Sequence, residues 1–113
     1  MRSSEAADAA AAFHAAADDA DYEGACAMLT RDARTTLEDG QEGSCPVRLA
    51  ATGLGRSDTA GGVVSSRVFG RNAQVIMKRD TLFLTLAGGR WKVTGAGCVA
   101  RDERPYKCEV EGN

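Results

Sequence analysis

The spacing of apolar residues changes once along this chain, and that change constrains the fold more than any other feature. Up to about residue 56 apolar residues recur every three or four positions, as in helices, and from Val63 they alternate, as in strands. Charge divides at nearly the same place: residues 1–58 carry 11 acids and 5 bases, and residues 59–113 carry 5 acids and 9 bases. At 113 residues the chain suits one domain. We predict a single α+β domain over 1–113, with a helical layer at about 4–56 and an antiparallel sheet at about 63–111.

Alanine dominates the first predicted helix, residues 5–20. Ten of the chain's 20 alanines lie between Ala6 and Ala20. Ser3 or Ser4 is the expected N-cap. The buried face predicted from helical spacing is Ala9, Phe13, Ala16, Ala17 and Ala20. Further helices are predicted from near Asp21, over about 32–38, and after Pro46, where the apolar face extends to Leu54.

The second half predicts strands at 63–69, 73–78, 81–87 and 90–97, with a fifth at 106–111. Turns at Gly70–Arg71, Arg79–Asp80 and Gly88–Gly89 make neighbouring strands antiparallel. These turns place one apolar set on one face, which the alanine-rich helix is expected to cover: Val64, Val68, Ala73, Val75, Met77, Leu82, Leu84, Leu86, Trp91 and Val93.

The opposite face is mostly polar, but three apolar residues interrupt it: Phe69, Ile76 and Phe83. The same register makes Ile76 and Phe83 direct cross-strand partners. Two interpretations remain open for this set. The residues are scattered surface positions or are covered by the C-terminal tail, or they form an interface through which the chain makes a homodimer.

Four cysteines, Cys26, Cys45, Cys98 and Cys108, bear on stability and compartment. Their gaps of 19, 53 and 10 residues lack the close pairs typical of zinc sites. Free buried thiols are one alternative. Two disulfides are favoured because a core this rich in alanine needs covalent support, and the spacing favours the local pairs Cys26–Cys45 and Cys98–Cys108.

Disulfides imply an oxidising compartment outside the cytoplasm. The opening residues Met-Arg-Ser-Ser-Glu do not form a signal peptide. We therefore expect a secreted or membrane-anchored protein whose signal or anchor lies upstream of this sequence. No run of 18 apolar residues predicts a membrane span. The net charge of −2 argues against nucleic-acid binding. No cofactor and no metal are expected.

Several segments resemble the nuclear-transport-factor-two-like fold, the cone shared with ketosteroid isomerases and polyketide cyclases. Residues 11–26 (AAFHAAADDADYEGAC) resemble its opening helix and turn, and residues 88–94 (GGRWKVT) resemble its late hairpin. The ending, AGC at 96–98 and PYKC at 105–108, is similar to small exported or lipoprotein-type actinobacterial proteins of unassigned function. The resemblance implies helices packed on a curved, cone-shaped antiparallel sheet. The wider fold hosts enzymes, binding modules and interaction domains.

In that fold the first helix borders the opening of the cone, which implies a ligand-binding pocket. The candidate pocket residues are Phe13, His14, Tyr22, Ser66, Leu84 and Trp91. His14 is the single histidine. We expect it to be half-exposed on the helix surface, with a pocket role as base or ligand contact as the alternative.

Isomerases of this fold use a buried aspartate on the inner sheet face, and the predicted inner face has no carboxylate. We therefore expect a non-catalytic, extracytoplasmic binding or accessory domain for a small apolar ligand or an envelope protein. The first alternative is an isomerase or cyclase-type enzyme using His14 with Tyr22, Asp18 or Asp19. The second is a structural dimerisation domain of an anchored protein.

Overall fold

In the part of the chain that the structure describes, the helical half of the sequence forms four helices and the alternating half forms a five-stranded antiparallel sheet. A computed structural model describes residues 2–39, 43–52, 62–101 and 104–111. The helices are α1 (Arg2–Asp18), α2 (Tyr22–Ala27), α3 (Arg31–Glu38) and α4 (Cys45–Ala51). The strands are β1 (Val63–Phe69), β2 (Asn72–Met77), β3 (Thr81–Ala87), β4 (Arg90–Arg101) and β5 (Arg104–Glu111), paired in chain order. The α+β prediction is confirmed; Leu54 lies outside the described residues.

Helix α1 buries a different face from the one predicted. Its buried residues are Ala6, Ala10, Phe13, His14 and Ala17. Ala20 is exposed, and Ala9 and Ala16 are only half-buried. The helix therefore lies rotated by roughly 60° from the expected orientation, at about 100° per residue. It also begins at Arg2, so Ser3 and Ser4 lie inside it and the capping prediction is wrong.

The hairpin between β3 and β4 forms as predicted. Gly88 and Gly89 both have positive φ, at 60° and 78°, as a tight two-residue hairpin turn requires. The predicted pairs Leu86 with Trp91 and Leu84 with Val93 are both present.

The hairpin between β2 and β3 turns one residue earlier than predicted. Met77 N–H donates to Asp80 C=O at 2.8 Å, so the turn is Lys78–Arg79 and not Arg79–Asp80. Val75 therefore pairs with Leu82, whereas the predicted register paired it with Leu84. The faces are unchanged because the register moves by two residues, but Asp80 now lies opposite Met77 on the inner face.

Strand β1 carries an irregularity that the sequence pattern did not show. Val63, not Val64, pairs with Met77, and the register shifts before Ser65. Val64 is therefore the extra residue of a β-bulge and is 63% exposed. Its predicted place on the covered face is wrong, whereas Val68 pairs with Ala73 as expected.

Both predicted disulfides are present. Cys26–Cys45 joins α2 to α4, and Cys98–Cys108 joins directly paired residues of β4 and β5. Cys26 and Cys45 are 2% and 0% exposed, so their bridge is part of the core beside the alanines of α1 and α2. Among the described helices none is both long and apolar enough to cross a membrane.

Helix α1 crosses the inner face of the sheet from its β1 edge toward β4. At its start Ser66 Oγ on β1 donates to the carbonyl of Ser3 at 2.9 Å. Phe13 and Leu84, 0% and 1% exposed, lie in the same buried cluster between helix and sheet. The other end of α1 reaches β3 and β4 through His14.

Candidate functional site

A histidine–aspartate pair is buried where α1 meets the sheet. His14 Nε2 lies 2.5 Å from Asp80 Oδ2, and the two side chains are 3% and 5% exposed. The residues are 66 positions apart in the chain, so the contact depends on the packing of α1 against the β2–β3 hairpin. Among the described residues it is the one close contact between a basic and an acidic side chain.

Backbone donors surround the rest of the Asp80 carboxylate. Oδ1 accepts the N–H groups of Thr81 and Cys98 at 2.7 and 2.9 Å. Oδ2 accepts the N–H of Gly97 at 3.1 Å. Two consecutive N–H groups of β4 converge on one carboxylate because Gly97 has a φ of 66°, a conformation that glycine adopts without strain. The carboxylate thus acts as acceptor in every contact, and His14 Nε2 is the donor.

The remaining imidazole nitrogen has no protein partner. His14 Nδ1 is fully buried and makes no hydrogen bond in the part of the chain that the structure describes. A general base must reach its substrate within hydrogen-bond distance. Nothing opens onto Nδ1 from either concavity described below. We name this arrangement of His14, Asp80, Gly97 and Cys98 the buried node.

The buried node corrects two expectations from the sequence. His14 is not a half-exposed surface residue, because α1 turns it toward the sheet. The inner face does hold a carboxylate, because the β2–β3 turn ends before Asp80. One signal was present in the sequence: extending the alternation Leu86, Leu84, Leu82 back by two positions reaches Asp80.

Neither of the two concavities described for the helical layer is lined by the other candidate pocket residues. Phe13 and Leu84 are core residues, whereas Tyr22 and Trp91 are half-buried against the core. Ser66 is engaged with Ser3. The ligand pocket stays a prediction.

The acidic residues after α1 lie apart from the buried node. Asp18 and Asp19 are exposed. Asp21 is the N-cap of α2, where its Oδ1 accepts the N–H of Gly24 at 3.1 Å. The aspartate that contacts His14 is therefore Asp80, not a member of this acidic turn.

Two open concavities among the described residues lie on the helical layer. One concavity of about 350 Å³ is lined by Glu23, Cys26, Arg34, Ser44 and Pro46. A second of about 390 Å³ is lined by Leu29, Arg31, Arg34, Thr35 and Glu38. Arg34 borders both concavities, which we together name the α3 groove.

Two guanidinium groups supply positive charge in the α3 groove. Arg31 and Arg34 are three residues apart on α3, so they lie on the same side of the helix. Both are exposed, and neither is in an ion pair with any residue that the structure describes. The nearby Glu38 is engaged, because its Oε2 accepts the N–H of Cys45 at 2.7 Å, at the N-terminus of α4.

The structure changes one pairing within the predicted interface set. Ile76 is opposite Thr81 and Phe83 is opposite Gln74, so the predicted Ile76–Phe83 pairing is wrong. Both are half-buried. Phe69 lies on β1 opposite Asn72 and is 55% exposed. The disulfide Cys98–Cys108 lies beside Phe83, near Gly95.

No family model matches the chain, and no curated protein and no solved structure matches it either. Within the described residues no group of three or more His, Cys, Asp or Glu side chains is arranged to hold a metal ion.

Proposed function

We propose that this chain is a non-catalytic, extracytoplasmic accessory domain that binds an acidic segment of a protein partner in the α3 groove. The observation that carries the proposal is the exposed pair Arg31 and Arg34, free of ion pairs within the described residues, on an open concave surface. Guanidinium groups bind carboxylates through two parallel hydrogen bonds. A peptide with spaced Asp or Glu side chains suits this groove.

The rigidity of the groove supports a binding role. Cys26–Cys45 holds α2 and α4 together on one side of it. Thr30 Oγ1 accepts the N–H of Ala33 and fixes the start of α3. The segment before α3 is held by β4, because Thr30 N–H donates to the carbonyl of Val93 at 2.9 Å. A groove held in its binding shape loses less entropy when a ligand is bound.

Export is the compartment that we propose. Two disulfides and no free cysteine among the described residues fit an oxidising environment. Thiol mapping of the protein from its native compartment tests export: finding four free thiols would exclude it.

The proposed architecture remains the nuclear-transport-factor-two-like cone, supported by the helix order and the antiparallel meander.

The groove is tested by titrating the isotope-labelled chain with two unstructured peptides, one Glu-rich and one Lys-rich of equal length. We expect the Glu-rich peptide to shift amide signals at Leu29, Arg31, Arg34 and Thr35. Arg34→Ala should weaken binding by about tenfold, the effect of losing one charge-assisted contact of about 1.5 kcal/mol. The matched control is Arg90→Ala, an exposed arginine at the start of β4. Equal binding of both peptides, or equal loss in both variants, would refute the proposal.

One observation favours a second candidate, an isomerase or cyclase-type enzyme. A carboxylate that orients a histidine is typical of acid–base catalysis, and the buried node contains one. This function requires His14 Nδ1 to open to a substrate. If a pocket admits a small apolar ligand to Phe13 and His14, titration with that ligand should shift the NMR signal of the His14 ring. The α3 groove proposal predicts no change in that signal.

A further inference from the structure

Strand β1 is an edge of the sheet, and it concentrates the exposed apolar side chains of the described residues. The sheet order places β2 on one side of β1, and no described strand lies on the other. Val63, Val64 and Phe69 are 39%, 63% and 55% exposed, and the fourth large exposed apolar residue, Val47, is on α4. Edge strands present backbone groups that pair with another strand.

The backbone of β1 alternates in a way that shows which groups face outward. Met77 N–H donates to the carbonyl of Asp80, just before β3, and Lys78 N–H donates to the carbonyl of Gly62. The backbone N–H and C=O groups of even-numbered residues in β2 therefore point toward β1. The residues paired with them, Ser65, Arg67 and Phe69, direct their own N–H and C=O groups inward to β2. The N–H and C=O groups of Ser66 and Val68 point out from the edge.

The sequence of β1 is close to a palindrome in chemical type. It reads VVSSRVF, with apolar residues at both ends and polar residues in the middle. Antiparallel pairing of a strand with its own copy places residue i opposite residue j and j opposite i. A pattern that reads alike in both directions is therefore what a second copy of this chain requires.

We propose that two copies of this chain associate through β1, pairing antiparallel about a two-fold axis at Ser66. This register places Val64 opposite Val68 of the second copy and Ser65 opposite its Arg67. The neighbouring register, centred on Arg67, sets the two arginines against each other, which is unfavourable. The bulge at Val64 ends the regular segment, so the regular pairing covers Val64 to Val68 of each copy.

The pairing joins two sheets into one continuous sheet of ten strands, twice the five of one chain. It uses the edge of the sheet and leaves the α3 groove open. It is therefore independent of the proposed partner binding, and different variants test the two.

The association is measured by sedimentation equilibrium of the full chain at protein concentrations up to about 1 mM. This range detects dimers with a dissociation constant of up to about 1 mM, which corresponds to a binding free energy of about 4 kcal/mol. We expect the weight-average mass to rise toward that of two chains. Val64→Lys should lower the association constant at least tenfold by placing charge against Val68. Val47→Lys is the control, because that valine is similarly exposed, at 57% against 63%, but lies on α4. Circular dichroism confirms that both variants are folded.

The register has its own test. Ser65→Asp places a carboxylate opposite Arg67 on both sides of the axis and should tighten association about threefold, because two exposed ion pairs contribute a few tenths of a kcal/mol each. Ser65→Lys should weaken it. A monomer at every concentration overturns the proposal. A dimer insensitive to Val64→Lys but lost in Ile76→Lys overturns it as well, because the interface is then the outer sheet face.

Discussion

The buried node and the α3 groove are both built around charged side chains, and they use them in opposite ways. In the node every oxygen of Asp80 is occupied by protein donors, and His14 is sealed between helix and sheet. In the groove Arg31 and Arg34 are exposed and lack such partners among the described residues. Saturated, buried charge specifies how layers pack. Exposed charge on a concave surface remains available to a partner.

This difference in burial and bonding indicates a structural role for the buried node and a binding role for the α3 groove. A layer rich in alanine has few large side chains to fix its angle on the sheet. The node supplies that fixation through directional bonds from α1 to β3 and β4. Stability should therefore respond strongly to changes in the node and weakly to changes in the groove.

The largest expected effect comes from removing the carboxylate of the node. Asp80→Ala leaves His14 and the N–H groups of Thr81 and Cys98 buried without this acceptor, and breaking such a pair typically costs about 3–5 kcal/mol of unfolding free energy. Urea denaturation measures the loss. Asp19→Ala, an exposed aspartate, should change stability by about 0.5 kcal/mol or less.

If Asp80→Ala does not fold, Asp80→Asn provides the test. The amide keeps one acceptor oxygen and the same size, so the loss should be smaller than in the alanine variant but larger than in Asp19→Ala. A node variant as stable as the Asp19 control would contradict the structural role of the pair.

A smaller effect is expected where the backbone bends toward Asp80. Gly97→Ala forces a side chain into positive φ, at a cost of about 1–2 kcal/mol. Gly70→Ala is a matched control, because Gly70 has a φ of 60° against 66° and open space around its Cβ position. The excess loss in Gly97→Ala reports the bonds to Asp80 and should be about 1 kcal/mol. Equal losses would mean that these bonds do not stabilise the fold.

The smallest effect on stability is expected for a substitution in the α3 groove. Arg34→Ala should change the unfolding free energy by about 0.5 kcal/mol or less, because the side chain is exposed. The same variant should lose peptide binding, so affinity and stability separate at this residue. A loss of several kcal/mol in urea denaturation would place Arg34 in the structural framework instead.

The sequence predicted what depends on local spacing. The disulfide pairs followed from short separations, and the β3–β4 hairpin followed from two glycines that accept positive φ. The covered sheet face was mostly correct, because period-two alternation survives a shift of two residues. Val64 was the exception, since a bulge has no clear signature in a single sequence.

The buried node was missed because it depends on two long-range choices. A rotation of α1 brings His14 toward the sheet, and an earlier turn brings Asp80 onto the inner face. The alanines of α1 permit several helix orientations at similar cost, so their spacing did not decide between them. The Lys78–Arg79 turn is decided by the bonds that Asp80 makes to Gly97 and Cys98, which lie in a strand that follows much later in the chain.

The state of the His14 ring tests the central claim most directly. The chain has one histidine, so its imidazole signals in a ¹⁵N–¹H spectrum need no further assignment. We expect a proton on Nε2 that is visible, shifted downfield by its bond to Asp80 and slow to exchange with solvent. The signal should persist when the Glu-rich peptide occupies the α3 groove. An Nε2 proton that exchanges as fast as in free imidazole would contradict a sealed node and return His14 to the candidates for catalysis.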